Sequence, residues 1–85
     1  MSRKQTLTAR RVTLGSINPG DTIIQDDPDL EVADLDPTYD QLTVVEVGSG
    51  YADLTNLTVE DESGETRTFR NVDRSLTVIL VTKDN

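Results

Sequence analysis

Short runs that alternate apolar and polar residues recur along the chain, and turn residues separate them. Val12 and Leu14 share one face of an extended segment, and Ile23 and Ile24 take opposite faces of a second one. A period of two is the pattern of β-strands, and no segment repeats apolar residues at helical spacing. We therefore predict an all-β protein that opens with a strand over residues 11–14.

Residues 41–47 form the clearest central strand. Leu42 and Val44 are in phase on one face, and Val45 and Val47 fall on the opposite face. If this strand is regular, Val45 and Val47 point to the same side of the sheet.

A β-hairpin is predicted over residues 54–70, where Gly64 ends a short acidic turn between two strand patterns. A three-residue loop with Gly64 in the left-handed region sets Leu57 opposite Phe69, whereas a two-residue loop sets Thr58 opposite Phe69. We prefer the first register because it packs Phe69 on an apolar neighbour, and we expect Phe69 and Leu57 to lie in the core.

The last strand, residues 76–82, is apolar on both faces. Such a strand is expected in the middle of a sheet or at the closure of a barrel. Five or six short strands without helices favour a small SH3-like barrel, which leaves few open edges. The alternative is a small open β-sandwich.

Pro28 and Pro37 interrupt an acidic segment at residues 26–40, which we interpret as a long excursion from the sheet with a brief edge strand near residues 29–32. Residues 1–10 are polar and basic, and we predict a flexible N-terminal arm there. The chain then divides into this arm and a single small β domain over residues 11–85.

The charges are segregated along the chain. Fourteen of the 16 acidic residues lie between Val12 and Thr66, where there is no lysine or arginine, and the net charge is −8. A one-signed surface steers a basic partner toward it and repels phosphates, so we predict protein binding and no direct nucleic-acid binding by the body of the domain. Only the basic N-terminal arm is a candidate for contact with nucleic acid.

The residue inventory offers little for catalysis. Cysteine and histidine are both absent, which removes the best nucleophile and the usual base near neutral pH. Carboxylate pairs such as Asp34 with Asp36 are the only acid/base candidates. An EF-hand spacing that starts at Asp27 fails, because Val32 and Thr38 occupy the glycine and terminal glutamate positions. We predict neither enzymatic activity nor a cofactor or metal.

The candidate partner-binding residues come from the acidic excursion and from the turn that contains Tyr51. Tyrosine is enriched at protein contacts, and the carboxylates of the excursion face solvent in this interpretation. The predicted site residues are Asp26, Asp27, Asp29, Glu31, Asp34, Asp36, Tyr39 and Tyr51. No apolar stretch is long enough for a signal peptide or a membrane span, so we expect a cytoplasmic protein without membrane contacts.

The order of these pieces resembles small β proteins of actinobacterial phages. The segments that carry the resemblance are Val12-x-Leu14, the Asn-Pro-Gly-Asp turn between Ile17 and Ile23, the strand from Leu42, the acidic hairpin from Leu57 to Phe69, and Leu76-Thr-Val-Ile79. The resemblance implies an origin in a phage and a location in the host cytoplasm. It carries over no functional residue, because the family has none assigned.

Three functions remain open on this basis. The first is a non-enzymatic module that binds a host or phage protein through its acidic surface. The second is a DNA mimic that occupies the groove of a nucleic-acid-binding protein with its carboxylates. The third is a small structural or accessory protein of the virion.

Overall fold

The computed structural model describes residues 6–84, which form an all-β domain of six strands. Two single-turn 3₁₀ helices, Leu14–Ser16 and Val32–Asp34, interrupt the loops. The strands are β1 (Thr6–Thr13), β2 (Thr22–Gln25), β3 (Leu42–Ser49), β4 (Leu54–Glu60), β5 (Thr66–Asp73) and β6 (Thr77–Asp84).

All six strands belong to one antiparallel sheet in the order β1-β6-β2-β3-β4-β5. The last strand of the chain is therefore interior, between β1 and β2, which agrees with its apolar character on both faces. The all-β prediction is confirmed. The barrel is not confirmed, because β1 and β5 each pair with a single neighbour among the described residues, so the sheet is open or curled.

The two faces of the sheet carry separate apolar clusters. The major core contains Leu14, Ile17, Ile23, Val44, Leu57, Val59 and Leu80. The minor core contains Ile24, Ile79 and Val81, with Val32 and Leu35 of the acidic excursion packed against it. Both isoleucines of β2 are consequently buried, one on each face.

A bulge in β3 corrects the predicted phase of that strand. Val44 pairs with Val59, but Val47 pairs with Leu57, so one residue of β3 has no partner at Val45. The extra residue returns Val47 to the major-core side and leaves Val45 exposed. Alternation from the sequence put Val47 on the wrong face, because a bulge shifts every later side chain by one position.

The β4–β5 hairpin has the register predicted from its turn. Leu57 lies opposite Phe69, and Gly64 has a φ of 87°. The hydroxyls of Thr58 and Thr68, which face each other, are 3.0 Å apart. The prediction that Phe69 lies in the core is wrong: the residue is 45% exposed, because β5 is an edge strand and, among the described strands, no neighbour covers its outer side.

The first strand is longer than the sequence pattern indicates. It begins at Thr6 and pairs along its length with β6, with Ala9 opposite Val81 and Arg11 opposite Ile79. Residues 6–10 therefore belong to the sheet and not to the predicted flexible arm. The part of that arm at residues 1–5 lies outside the described residues.

Candidate acidic interaction surface

The acidic excursion is a series of tight turns that covers the minor core. The Leu30 N–H donates to the Asp27 carbonyl at 3.0 Å, and the Tyr39 N–H donates to the Asp36 carbonyl at 3.3 Å. Between these turns lies the 3₁₀ helix Val32–Asp34, and the edge strand predicted near residues 29–32 is not present. The strand does not form, because Val32 turns inward onto β6 with Leu35.

Arg11 of β1 anchors the start of the excursion. Its Nε lies 2.9 Å from the Asp26 carboxylate, and its Nη2 donates to the carbonyls of Asp27 and Leu30 at 3.3 and 3.0 Å. The Thr77 hydroxyl of β6 donates a second hydrogen bond to Asp26. One arginine thus fixes both the first acid of the excursion and the turn that follows it.

The Arg11–Asp26 pair also explains the ionisation of its members. The hydrogen bond from Arg11 lowers the pKa of Asp26, with burial opposing and the Thr77 hydroxyl adding to the effect. The same hydrogen bond raises the pKa of Arg11. The Asp26 side chain is only 3% exposed and is paired with Arg11. Asp26 therefore anchors the excursion to β1 and does not present a free carboxylate to a partner.

The other predicted acids of the excursion are exposed. Asp27 and Asp36 use one carboxylate oxygen to hold their own turns, accepting from the N–H of Asp29 at 3.0 Å and of Thr38 at 2.9 Å. The Thr38 hydroxyl also donates to Asp36, and it is the main cause of that carboxyl's lowered pKa. Within residues 6–84 the one ion pair is Arg11–Asp26, so neither of these turn-forming acids is in a salt bridge.

Three grooves meet at the exposed side chain of Gln25, the last residue of β2. One contains Asp27, the second contains Asp36, Tyr39 and Asp40, and the third, with a volume of about 450 Å³, runs from Asp40 to the β4–β5 turn. Asp40 lines two of the three grooves. Asp29, Glu31 and Asp34 are exposed on the excursion but line none of these grooves.

The third groove brings in acids that the sequence analysis did not include. Asp61 and Glu62 of the β4–β5 turn face Asp40 across it, together with Arg67. Glu62 is held by the Gln41 N–H at 3.1 Å. The acidic run Glu60-Asp61-Glu62 is visible in the sequence. Its position beside the excursion depends on how β4 pairs with β3, which the sequence pattern does not show.

Asp61 is preorganised as a carboxylate. It accepts hydrogen bonds from the Ser63 hydroxyl at 2.6 Å and from the N–H of Glu65 at 3.0 Å. The Ser63 hydroxyl is the largest cause of its lowered pKa, and the nearby charge of Arg67 adds a smaller one. We name the set Gln25, Asp27, Asp36, Tyr39, Asp40, Asp61 and Glu62 the Gln25 surface; among the described residues, Arg67 is the one basic residue that lines its grooves.

The two tyrosines predicted as contact residues lie apart. Tyr39 is 69% exposed within the Gln25 surface, and Tyr51 is 81% exposed in the β3–β4 turn. The eight residues of β3 separate these ends, a length of about 25 Å at the usual rise per residue. Tyr39 therefore belongs with the acids, and Tyr51 belongs to a different part of the molecule.

The described residues around Gln25 form a surface rich in carboxylates. No group of three or more acidic side chains within residues 6–84 is arranged to hold a metal ion. None of the helices found in that range is long and apolar enough to cross a membrane. Comparison of the chain with known protein families, curated proteins and solved structures found no match.

Proposed function

We propose that this protein is a non-enzymatic interaction module of phage type, which binds a basic segment of a host or phage protein at the Gln25 surface. One observation carries the proposal. Acids from two distant segments, the excursion and the β4–β5 turn, converge on grooves around Gln25. A basic segment that lies along these grooves contacts both sets of carboxylates at once.

The electrostatics of the surface favour a basic partner. The net charge of −8 attracts cations over the range of a Debye length, about 8 Å at physiological salt. Short-range selectivity comes from Asp36 and Asp61, whose unbonded oxygens have fixed positions because hydrogen bonds hold their carboxylates. A carboxylate that is already held in place loses little side-chain entropy when a lysine or arginine binds, so binding costs less free energy than it would for a mobile carboxylate.

Tyr39 supplies the apolar part of the proposed contact. Its exposed ring lies in the groove that also contains Leu35 and Ile24 at its base. Tyrosine buries a large area with few rotatable bonds, which is the property of anchor residues at interfaces. An arginine of the partner can also stack on the ring face while it pairs with a neighbouring carboxylate.

Binding without catalysis is the proposal that the residue types support. The chain has no histidine or cysteine, and the carboxyl groups whose pKa values shift are turn-forming or ion-paired and become stronger acids. A carboxyl that acts as a general acid near neutral pH needs its pKa raised. We place the protein in the cytoplasm of the host cell as part of the same proposal.

The SH3-like architecture also remains part of this proposal. An open or curled sheet that buries its major core on one face is compatible with a partly closed barrel or with an open sandwich. Nuclear Overhauser contacts between side chains of β1 and β5 would support closure. Their absence in a fully assigned spectrum would favour the open form.

A matched pair of triple variants tests the binding site. The site variant carries Tyr39→Ala, Asp40→Asn and Glu62→Gln. Asparagine tolerates the φ of 52° at Asp40, and glutamine keeps the oxygen that accepts from Gln41. The control variant changes the same kinds of residue on the far part of β3 and in the β3–β4 turn. Its substitutions are Glu46→Gln, Tyr51→Ala and Asp53→Asn.

Affinity capture from host and infected-cell lysates supplies the measurement. We expect a protein that the wild type and the control variant recover equally and that the site variant loses. Equal recovery by all three proteins would refute the Gln25 surface as the binding site. Displacement of the captured protein by duplex DNA would identify the interaction as DNA mimicry.

A further inference from the structure

Strand β5 ends the sheet and has an open edge of hydrogen-bonding groups. Asp61 and Glu65 pair at the start of the hairpin, where the Asp61 N–H donates to the Glu65 carbonyl at 2.9 Å. Antiparallel ladders alternate hydrogen-bonded with non-hydrogen-bonded pairs. Counting from this pair, Arg67 and Phe69 point their backbone groups at β4, and the alternate residues Thr66, Thr68 and Arg70 point theirs away from the sheet.

The edge of β5 is accessible to solvent. Proline is absent from β5 and the residues from Thr66 to Asn71 are all exposed. Natural sheets commonly block such edges with proline, charged side chains, a bulge or a short strand; the bulge of β5 lies at its far end, where Arg70 and Asn71 stand opposite Asn56. The positive φ of Asn71, 56°, ends the regular stretch, which leaves residues 66–70 as a usable edge.

Charge and apolar surface on β5 differ from those of the Gln25 surface. Arg67 and Arg70 lie on the strand, and Arg74 follows it in the turn to β6. Phe69 lies opposite the buried Leu57, and 45% of its own surface is exposed. The ring of Phe69 is therefore only partly covered at this edge of the sheet. An added strand would place one side chain beside that ring.

We propose that the open edge of β5 binds an extended acidic segment of a partner protein as a seventh strand of the sheet. Backbone groups of Thr66, Thr68 and Arg70 supply the ladder, Arg67 and Arg70 pair with carboxylates, and Phe69 packs on an apolar side chain. This contact does not rest on the proposed role of the Gln25 surface, because it uses the backbone edge of β5 and the opposite charge, although Arg67 also lines the third groove of that surface.

Charge complementarity selects this occupant over a second copy of the chain. Pairing two β5 strands antiparallel about Thr68 would set Arg67 opposite Phe69 and Arg70 opposite Thr66, so neither arginine would gain a carboxylate partner. Like charges at cross-strand distances destabilise a sheet, whereas opposite charges contribute about 0.2 to 1 kcal/mol per pair. Cross-strand distances are below the Debye length, so Arg67 and Arg70 act on the charges of an added strand at short range.

The register prescribes a peptide for the test. In an antiparallel added strand, the residues opposite Arg70, Phe69, Thr68, Arg67 and Thr66 follow one another from the peptide's N-terminus. A blocked peptide with the central sequence Glu-Val-Thr-Glu-Thr places one carboxylate opposite each arginine and valine opposite the ring. The matched control peptide is Lys-Val-Thr-Lys-Thr, which has the same strand propensity and the opposite charge.

Titration followed by amide NMR measures the contact on the full chain. We expect the acidic peptide to shift and protect the N–H groups of Thr66, Thr68 and Arg70, and the lysine peptide to leave them unchanged. Arg70→Glu should weaken the acidic peptide about three- to tenfold, the effect of replacing a cross-strand attraction with a repulsion. Arg10→Glu is the control, because it makes the same charge change on the other edge strand.

A charge exchange and a proline variant complete the test. The peptide Lys-Val-Thr-Glu-Thr should regain binding to Arg70→Glu, which a merely unfolded variant could not do. Thr68→Pro removes an N–H that β4 does not use, so we expect the domain to fold and the peptide to lose its site. Shifts that centre on β1, or equal binding of the acidic and lysine peptides, would overturn the proposal.

Discussion

Adjacent isoleucines on β2 offer a direct test of the two-sided sheet. Ile23 and Ile24 are 2% and 4% exposed, in the major and the minor core respectively. Truncation to alanine removes three carbons in each case, worth about 2.4 kcal/mol at 0.8 kcal/mol per buried methylene. The cavity left behind brings the expected loss in unfolding free energy to about 2 to 4 kcal/mol for either variant.

The size of the Ile24→Ala effect depends on the acidic excursion. If Val32 and Leu35 did not cover β2 and β6, Ile24 would lie on a solvent-facing side and its truncation would cost less than about 0.5 kcal/mol. Because they pack against the minor core, the two truncations should have similar costs. Ile23→Ala serves as the internal standard, with the same chemical change one residue away.

Equilibrium unfolding in urea, followed by far-UV circular dichroism, provides both free energies. A double-mutant cycle then links Ile24 to the excursion: Ile24→Ala with Leu35→Ala should show a coupling of at least about 0.5 kcal/mol, and Ile23→Ala with Leu35→Ala should be additive. The reasoning fails if Ile24→Ala is within about 0.5 kcal/mol of wild type while Ile23→Ala is not.

Three further predictions concern single side chains. Asp26→Asn should remove stability at pH 7, because the folded pKa of Asp26 is lowered from 3.8 and the stability it contributes is present above that unfolded value. That contribution is lost as the pH falls through the folded pKa, so the stabilities of wild type and variant should draw together below pH 3.8, while Asp29→Asn, exposed on the same excursion, should keep wild-type stability at pH 7. Gly64→Ala should cost about 1 to 2 kcal/mol in urea unfolding through its φ of 87° alone, since the nearest atom to an added Cβ is 3.9 Å away, and an unchanged midpoint would show that the turn relaxes. Val45→Thr at the bulge should alter the melting temperature by no more than a few degrees, and a large drop would mean that Val45 is buried in solution.

Local chemistry in the sequence was sufficient for the strands and for one register. Alternating β-branched runs predict the β class, and the turn at Gly64 sets the pairing of Leu57 with Phe69, because loop length and a positive φ fix a hairpin without reference to the rest of the chain. The two apolar faces of β6 likewise required an interior position, since either face would otherwise lie in water.

Sequence alternation could not locate the bulge at Val45 or the exposure of Phe69. A bulge adds one residue to a strand without any change in composition, and it is visible only in the pairing of β3 with β4. Phe69 has the pattern of a core residue, but its burial depends on a neighbour beyond β5, and the fold provides none among the described strands.

The candidate site shows the same division. Acidic composition identified the excursion, and Asp27, Asp36 and Tyr39 remain at the Gln25 surface. Asp26 changed from a proposed contact to an anchor only when the pairing of β1 with β6 brought Arg11 beside it. Partners that are close in space and distant along the chain are set by strand order, and local residue patterns do not contain that order.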